Sequence, residues 1–155
     1  MLQRIQTIWL LLASLAILGL FLFPYIHMTN ILGAGQDIRV TGVYQSMGGQ
    51  MVKTQEFIAL TIITVLIALV PLVVIFFYHD RKRQIILSYL TIVLIIAYSF
   101  WLVKSAKNVI GDVQLDLQNF GIGVILPSLA ILFIILAIKG IRRDDKLIKS
   151  ADRLR

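Results

Sequence analysis

The chain holds 155 residues, enough for one domain. It is 59% hydrophobic and 15% charged, against roughly 45–50% and about 25% in ordinary soluble domains, which excludes a water-soluble core of usual make-up. The net charge of +7 gathers between long apolar runs and so reads first as membrane topology, while the lack of cysteine excludes a disulfide framework, a thiolate metal site and a cysteine nucleophile.

A bilayer core about 30 Å thick needs roughly 20 apolar residues in a helix. Four runs meet that demand with no Asp, Glu, Lys, Arg or His inside: Ile5–Ile26, Phe57–Tyr78, Ile85–Val103 and Phe120–Ile138. Helix is preferred because an isolated strand cannot satisfy its backbone in lipid, and the alternation of a membrane barrel is missing. The first run follows a basic start and precedes the small residues Gly33, Ala34 and Gly35, loosely as in a secretory signal. It is too long for a signal core, and the small residues lie well past its end, so it is read as a span. Trp9, Tyr25, Phe57, Tyr78, Phe100 and Trp101 sit near the run ends, where amphipathic rings favour the headgroup zone. Pro71 and Pro127 fall within the second and fourth runs and predict local bends.

Between the first two runs lies a long polar loop. Its entry, Asn30 to Gln36, is turn-rich; then Ile38, Val40 and Tyr44 share one parity, which predicts a short strand over 37–45. The second and third runs are joined by His79–Gln84, short enough to make their helices antiparallel neighbours. A second outside loop, Asp112–Gln118, alternates strictly with period two: either the two loops pair as a small capping sheet whose edge accepts a partner strand, or Val113 and Leu117 lie on one short amphipathic helix or in an irregular loop.

Direction follows from the basic residues. Arg4, Arg81, Lys82, Arg83, Lys139, Arg142, Arg143, Lys146, Lys149, Arg153 and Arg155 fall on one side, and only Arg39, Lys53, Lys104 and Lys107 on the other. Positive residues stay cytoplasmic, which puts both termini inside. The expected fold is therefore an all-α membrane protein, a four-transmembrane-helix bundle over residues 1–155 with N and C termini cytoplasmic, with a small β element in the outside loops as an option.

The segment 139–155 is the most informative polar stretch. Ile141, Leu147, Ile148, Ala151 and Leu154 fall near one helical face and Arg142, Arg143, Lys146, Lys149 and Arg153 mostly elsewhere, while Asp144 and Asp145 come early. That order predicts a short amphipathic helix whose charges suit its dipole. It serves as an anchor on anionic lipid or as a face for another protein. Nucleic acid is not expected, because no aromatic residue is there to stack on bases.

No catalytic constellation is legible. His27 and His79 fall on opposite membrane faces and cannot share a metal. The hydroxyls Ser14, Thr61, Thr64, Ser88, Thr91, Ser99 and Ser128 lie within spans, without a base beside them, and read as partners of backbone carbonyls or neighbouring helices. Thr64 and Ala68 form one small-xxx-small pair. Gly121 and Gly123 lack the lysine of a phosphate loop.

The start, Met1-Leu2-Gln3-Arg4-Ile5-Gln6-Thr7, and the end, Arg143-Asp144-Asp145-Lys146-Leu147-Ile148-Lys149-Ser150-Ala151-Asp152-Arg153-Leu154-Arg155, resemble those of the domain-of-unknown-function 4293 family, small four-span membrane proteins of Gram-negative bacteria. The resemblance implies an inner-membrane location with the loops in the periplasm, and brings no activity, cofactor or catalytic residue. It directs attention to the inner face: Gln3, Arg4, Gln6, Arg142, Arg143, Lys146, Leu147, Ile148, Lys149, Asp152, Arg153 and Arg155 are the candidate docking residues for partner or lipid.

The functional expectation is a non-enzymatic accessory or scaffold subunit, without cofactor, of a larger membrane complex, with protein export or insertion machinery as the first candidate. Its partners are membrane lipid and other integral membrane proteins, and a homo-oligomer is the alternative. The runner-up function is a small oligomeric transporter or channel component; it lacks the broken helices and midplane polar site typical of that class.

Overall fold

The computed structural model describes residues 3–29, 35–47, 50–111 and 119–152. Four helices run as α1 (Gln3–Leu18), α2 (Ile58–Phe76), α3 (Arg81–Ile110) and α4 (Ile125–Asp152). Between α1 and α2 the chain forms four strands, β1 (Ile26–Thr29), β2 (Gly35–Arg39), β3 (Gly42–Met47) and β4 (Gln50–Glu56). They make one antiparallel sheet in the order β1-β2-β3-β4.

This corrects the expectation of an all-α four-span bundle. Three helices are long and apolar enough to cross a membrane: Ile58–Phe76, Arg81–Ile110 and Ile122–Leu147. The first run does not stay helical to Ile26. Its helix ends at Leu18, a 3-10 turn covers Gly19–Phe21, and Tyr25 already bonds the sheet through its amide to the Ile38 carbonyl at 3.0 Å. Pro24 keeps helix from running on to Ile26, since its ring disfavours helix at Phe23 before it. Sixteen helical residues reach only about 24 Å, short of a 30 Å core.

Helix α1 lies antiparallel to α4 along most of its length. Gln6 meets Gly140 and Asp144 at one end, Trp9 stacks on Phe133 with ring centroids 5.8 Å apart, and Gly19 faces Leu126 at the other. Leu10, Ala13, Ile17, Ala130, Ile134 and Ala137 are buried along this seam. The small residues let the two backbones approach closely. A hydroxyl also joins α1 to α2, where Ser14 Oγ donates to the Ala68 carbonyl at 2.7 Å. Between α2 and α3 the hydroxyls of Thr64 and Tyr98 lie 2.5 Å apart. Thr61, Thr64, Ser88, Thr91 and Ser99 each donate to the carbonyl four residues back. Each hydroxyl thus closes its own hydrogen-bonding need within the apolar layer.

Pro71 is buried inside α2, as read from the sequence. Pro127 is instead the third residue of α4, in the first turn, where a helix has no use for the missing amide. The expected strand over 37–45 is a hairpin: β2 ends at Arg39 and β3 starts at Gly42. Gly42 has φ +149°, and a Cβ there would stand 2.0 Å from the Gln55 carbonyl oxygen. The strand expected in Asp112–Gln118 lies outside the described residues. The sheet is tied to the helices by Ile26 bridging Phe120 and by the Phe57 amide donating to the Thr41 carbonyl at 3.2 Å.

Candidate functional site

The two ends of the helix layer are chemically different. One carries the sheet. At the other, α2 turns into α3 and α4 emerges, and it collects Arg81, Lys82, Arg83, Lys139, Arg142, Arg143 and Lys146.

At the basic end α4 does not break. The segment expected as a separate amphipathic helix continues the last apolar run as one 28-residue helix. Asp144 and Asp145 therefore sit deep inside a helix, and the dipole argument for their position fails. Asp144 is instead buried and accepts a hydrogen bond from the Gln6 side-chain amide of α1. Gln6, a candidate docking residue by sequence, is buried in that contact and is not a surface group.

Arg142, Arg143, Lys146 and Leu147 are exposed. Lys82 of α3 joins the first three and Lys139 around a cleft of about 790 Å³, with Asp145 as the one acid and Ile85 and Ile86 as apolar lining. The Arg142 guanidinium lies 5.5 Å from the centre of the Tyr89 ring, which holds it across the α3–α4 gap. Asp80 caps α3 by accepting from the Arg83 amide at 3.4 Å and pairs with the Arg83 side chain at 2.8 Å. Three cations in that first turn oppose the helix dipole, so helix stability does not account for them. Gln3, Arg4, Ile148, Lys149 and Asp152 are placed on helices by their backbone alone, and Arg153 and Arg155 lie outside the described residues.

The sheet end holds a polar cluster that sequence reasoning missed. His27 Nδ1 is 2.5 Å from the Asp37 carboxylate, Arg39 approaches the same carboxylate at 3.8 Å, and its guanidinium lies 5.3 Å from the centre of the Tyr44 ring. These residues are cross-strand neighbours, His27 opposite Asp37 and Asp37 opposite Tyr44, so only the strand register reveals the group. Below it, Tyr25 is buried with no partner for its hydroxyl among the described residues, and burial pushes that hydroxyl well above the usual tyrosine range. Tyr25 lines an apolar cavity of about 460 Å³ with Leu102, Ala106, Phe120, Val124 and Pro127. The far edge strand, β4, is exposed along its whole length and carries Met51 and Val52 on its surface. Among the described residues no group of three His, Cys, Asp or Glu side chains is placed to hold a metal ion.

The sequence model of the family described as Domain of unknown function (DUF4293) matches residues 2–154. No curated protein and no solved structure matches the chain.

Proposed function

The chain belongs to the DUF4293 family, and on that premise we propose that it is a non-enzymatic accessory subunit of a larger complex in the bacterial inner membrane, with its basic end in the cytoplasm and its sheet in the periplasm. The observation that carries this reading is β4. It is a seven-residue edge strand, exposed throughout, whose outer side has no neighbouring strand among the described residues. Such an edge takes an extended segment of a partner by backbone pairing. The three spanning stretches add to the case: a third or less of each is buried within the chain, which leaves their outer faces for lipid or for the helices of another subunit. The basic asymmetry between the ends supports the stated orientation.

Protein export or membrane-insertion machinery is the first complex to test, by analogy of size and layout alone. The experiment is purification from native membranes in a mild detergent with identification of stoichiometric companions. Larger integral membrane proteins retained by the wild-type chain and lost from a Met51→Lys/Val52→Lys variant are the expected result. A chain that travels alone, or only with copies of itself, sinks the proposal.

A further inference from the structure

We propose that the cleft between the first turn of α3 and the emerging half of α4 binds the headgroup of an anionic phospholipid. The inference goes beyond the subunit reading and shares only its membrane placement.

Lys82 comes from α3, and Lys139, Arg142, Arg143 and Lys146 come from α4, so five cations from two elements converge on one cleft against a single acid, Asp145. The α3 N-terminus adds its positive dipole end. Arg142 is pinned by the Tyr89 ring, which removes part of the ordering cost of meeting an anion. This charge pattern matches a phosphodiester, and basic pockets between helices at the cytoplasmic boundary suit such headgroups.

The depth of the cleft selects lipid over free phosphate. The apolar run of α3 starts at Ile85 and that of α4 stops at Ile138, so the cleft straddles the border between hydrocarbon and water. Directly along α3 from the cleft, Ile86, Leu90 and Val93 are all exposed at helical spacing. They form an apolar track on which the acyl chains lie while the phosphate meets the cations.

The test is native mass spectrometry of the full chain released from detergent, offered equal amounts of phosphatidylglycerol and phosphatidylcholine. The expected result is at least a tenfold preference for phosphatidylglycerol, which a Lys82→Gln/Arg142→Gln/Lys146→Gln variant loses and a Lys104→Gln variant keeps. Should the triple variant be unstable, Lys82→Gln and Lys146→Gln, both at exposed positions, are read singly for a severalfold loss. An unchanged preference in these variants overturns the site. So does displacement of the lipid by equimolar inorganic phosphate, which marks a site for soluble anions. Partner retention, read on the same samples, keeps this inference separate from the subunit reading. Lipid preference lost with the partner kept supports the site; lipid preference kept with the partner lost overturns it and assigns these cations to a protein contact.

Discussion

Gln6 and Asp144 stand 138 positions apart in the chain and share a buried hydrogen bond that ties the start of α1 to the emerging half of α4. A buried carboxylate without a donor loses far more than one bond's net worth. Replacing Gln6 with Leu leaves Asp144 in that position, and the expected loss is about 1–3 kcal/mol in thermal or denaturant unfolding in detergent. Arg83→Gln, which breaks the exposed ion pair with Asp80, serves as the comparison and costs about 0–1 kcal/mol. Equal effects in the two variants would deny the buried bond any special weight.

Gly121 and Gly123 owe their identity to chain packing. The Gly121 amide donates to the Tyr25 carbonyl at 3.0 Å, and a Cβ on Gly121 would stand 2.2 Å from the Pro24 carbonyl oxygen. Gly121→Ala is expected to destabilise the chain by about 1–3 kcal/mol, as overpacking does. Gly35→Ala, where nothing lies within 4 Å, should stay close to wild type in the same melting experiment.

The hydroxyl contact between Thr64 and Tyr98 is a polar link across the α2–α3 seam. Tyr98→Phe removes it while Thr64 keeps its bond to the Leu60 carbonyl, so no group is orphaned. The expected cost is only about 0.5–1.5 kcal/mol. Ser14→Ala, which deletes the α1–α2 link to Ala68, belongs in the same range. A loss well above that in either variant shows that more than the hydroxyl contact has gone.

The chain has no cysteine, so single engineered thiols report cleanly on sidedness. Lys53→Cys on β4 and Lys146→Cys on α4 should react with a membrane-impermeant reagent from opposite faces of sealed vesicles. Labelling of both from one face contradicts the orientation proposed for α2, α3 and α4.

The three helices long and apolar enough to cross a membrane were readable because lipid imposes one simple demand, an uncharged apolar run of fixed length, and the runs beginning at Phe57, Ile85 and Phe120 satisfy it. The same rule overreached at α1. Composition stays apolar through Ile26, but Pro24 and the pairing of Tyr25 with Ile38 take the chain out of helix first. The sheet was legible only in part. Ile38, Val40 and Tyr44 showed extended character, yet the reversal between β2 and β3 depends on Gly42 at a backbone angle that parity does not encode. β4 offers no alternation to read, because all seven of its residues face solvent on both sides. At the basic end, the cations were evident from charge counting. Their gathering around Lys82, and the burial of Gln6, were not, because both depend on how α1 and α3 pack against α4.

Helix α4 runs unbroken for 28 residues, about 42 Å, which exceeds a hydrocarbon layer of roughly 30 Å by some two turns. Just before it, Phe120 bridges Ile26 of β1 and the Gly121 amide donates to the Tyr25 carbonyl, and its latter half carries the cations. The sheet end and the basic end are consequently mounted on one stiff rod. A tilt imposed by a load on either end is felt at the other without any joint in between to absorb it.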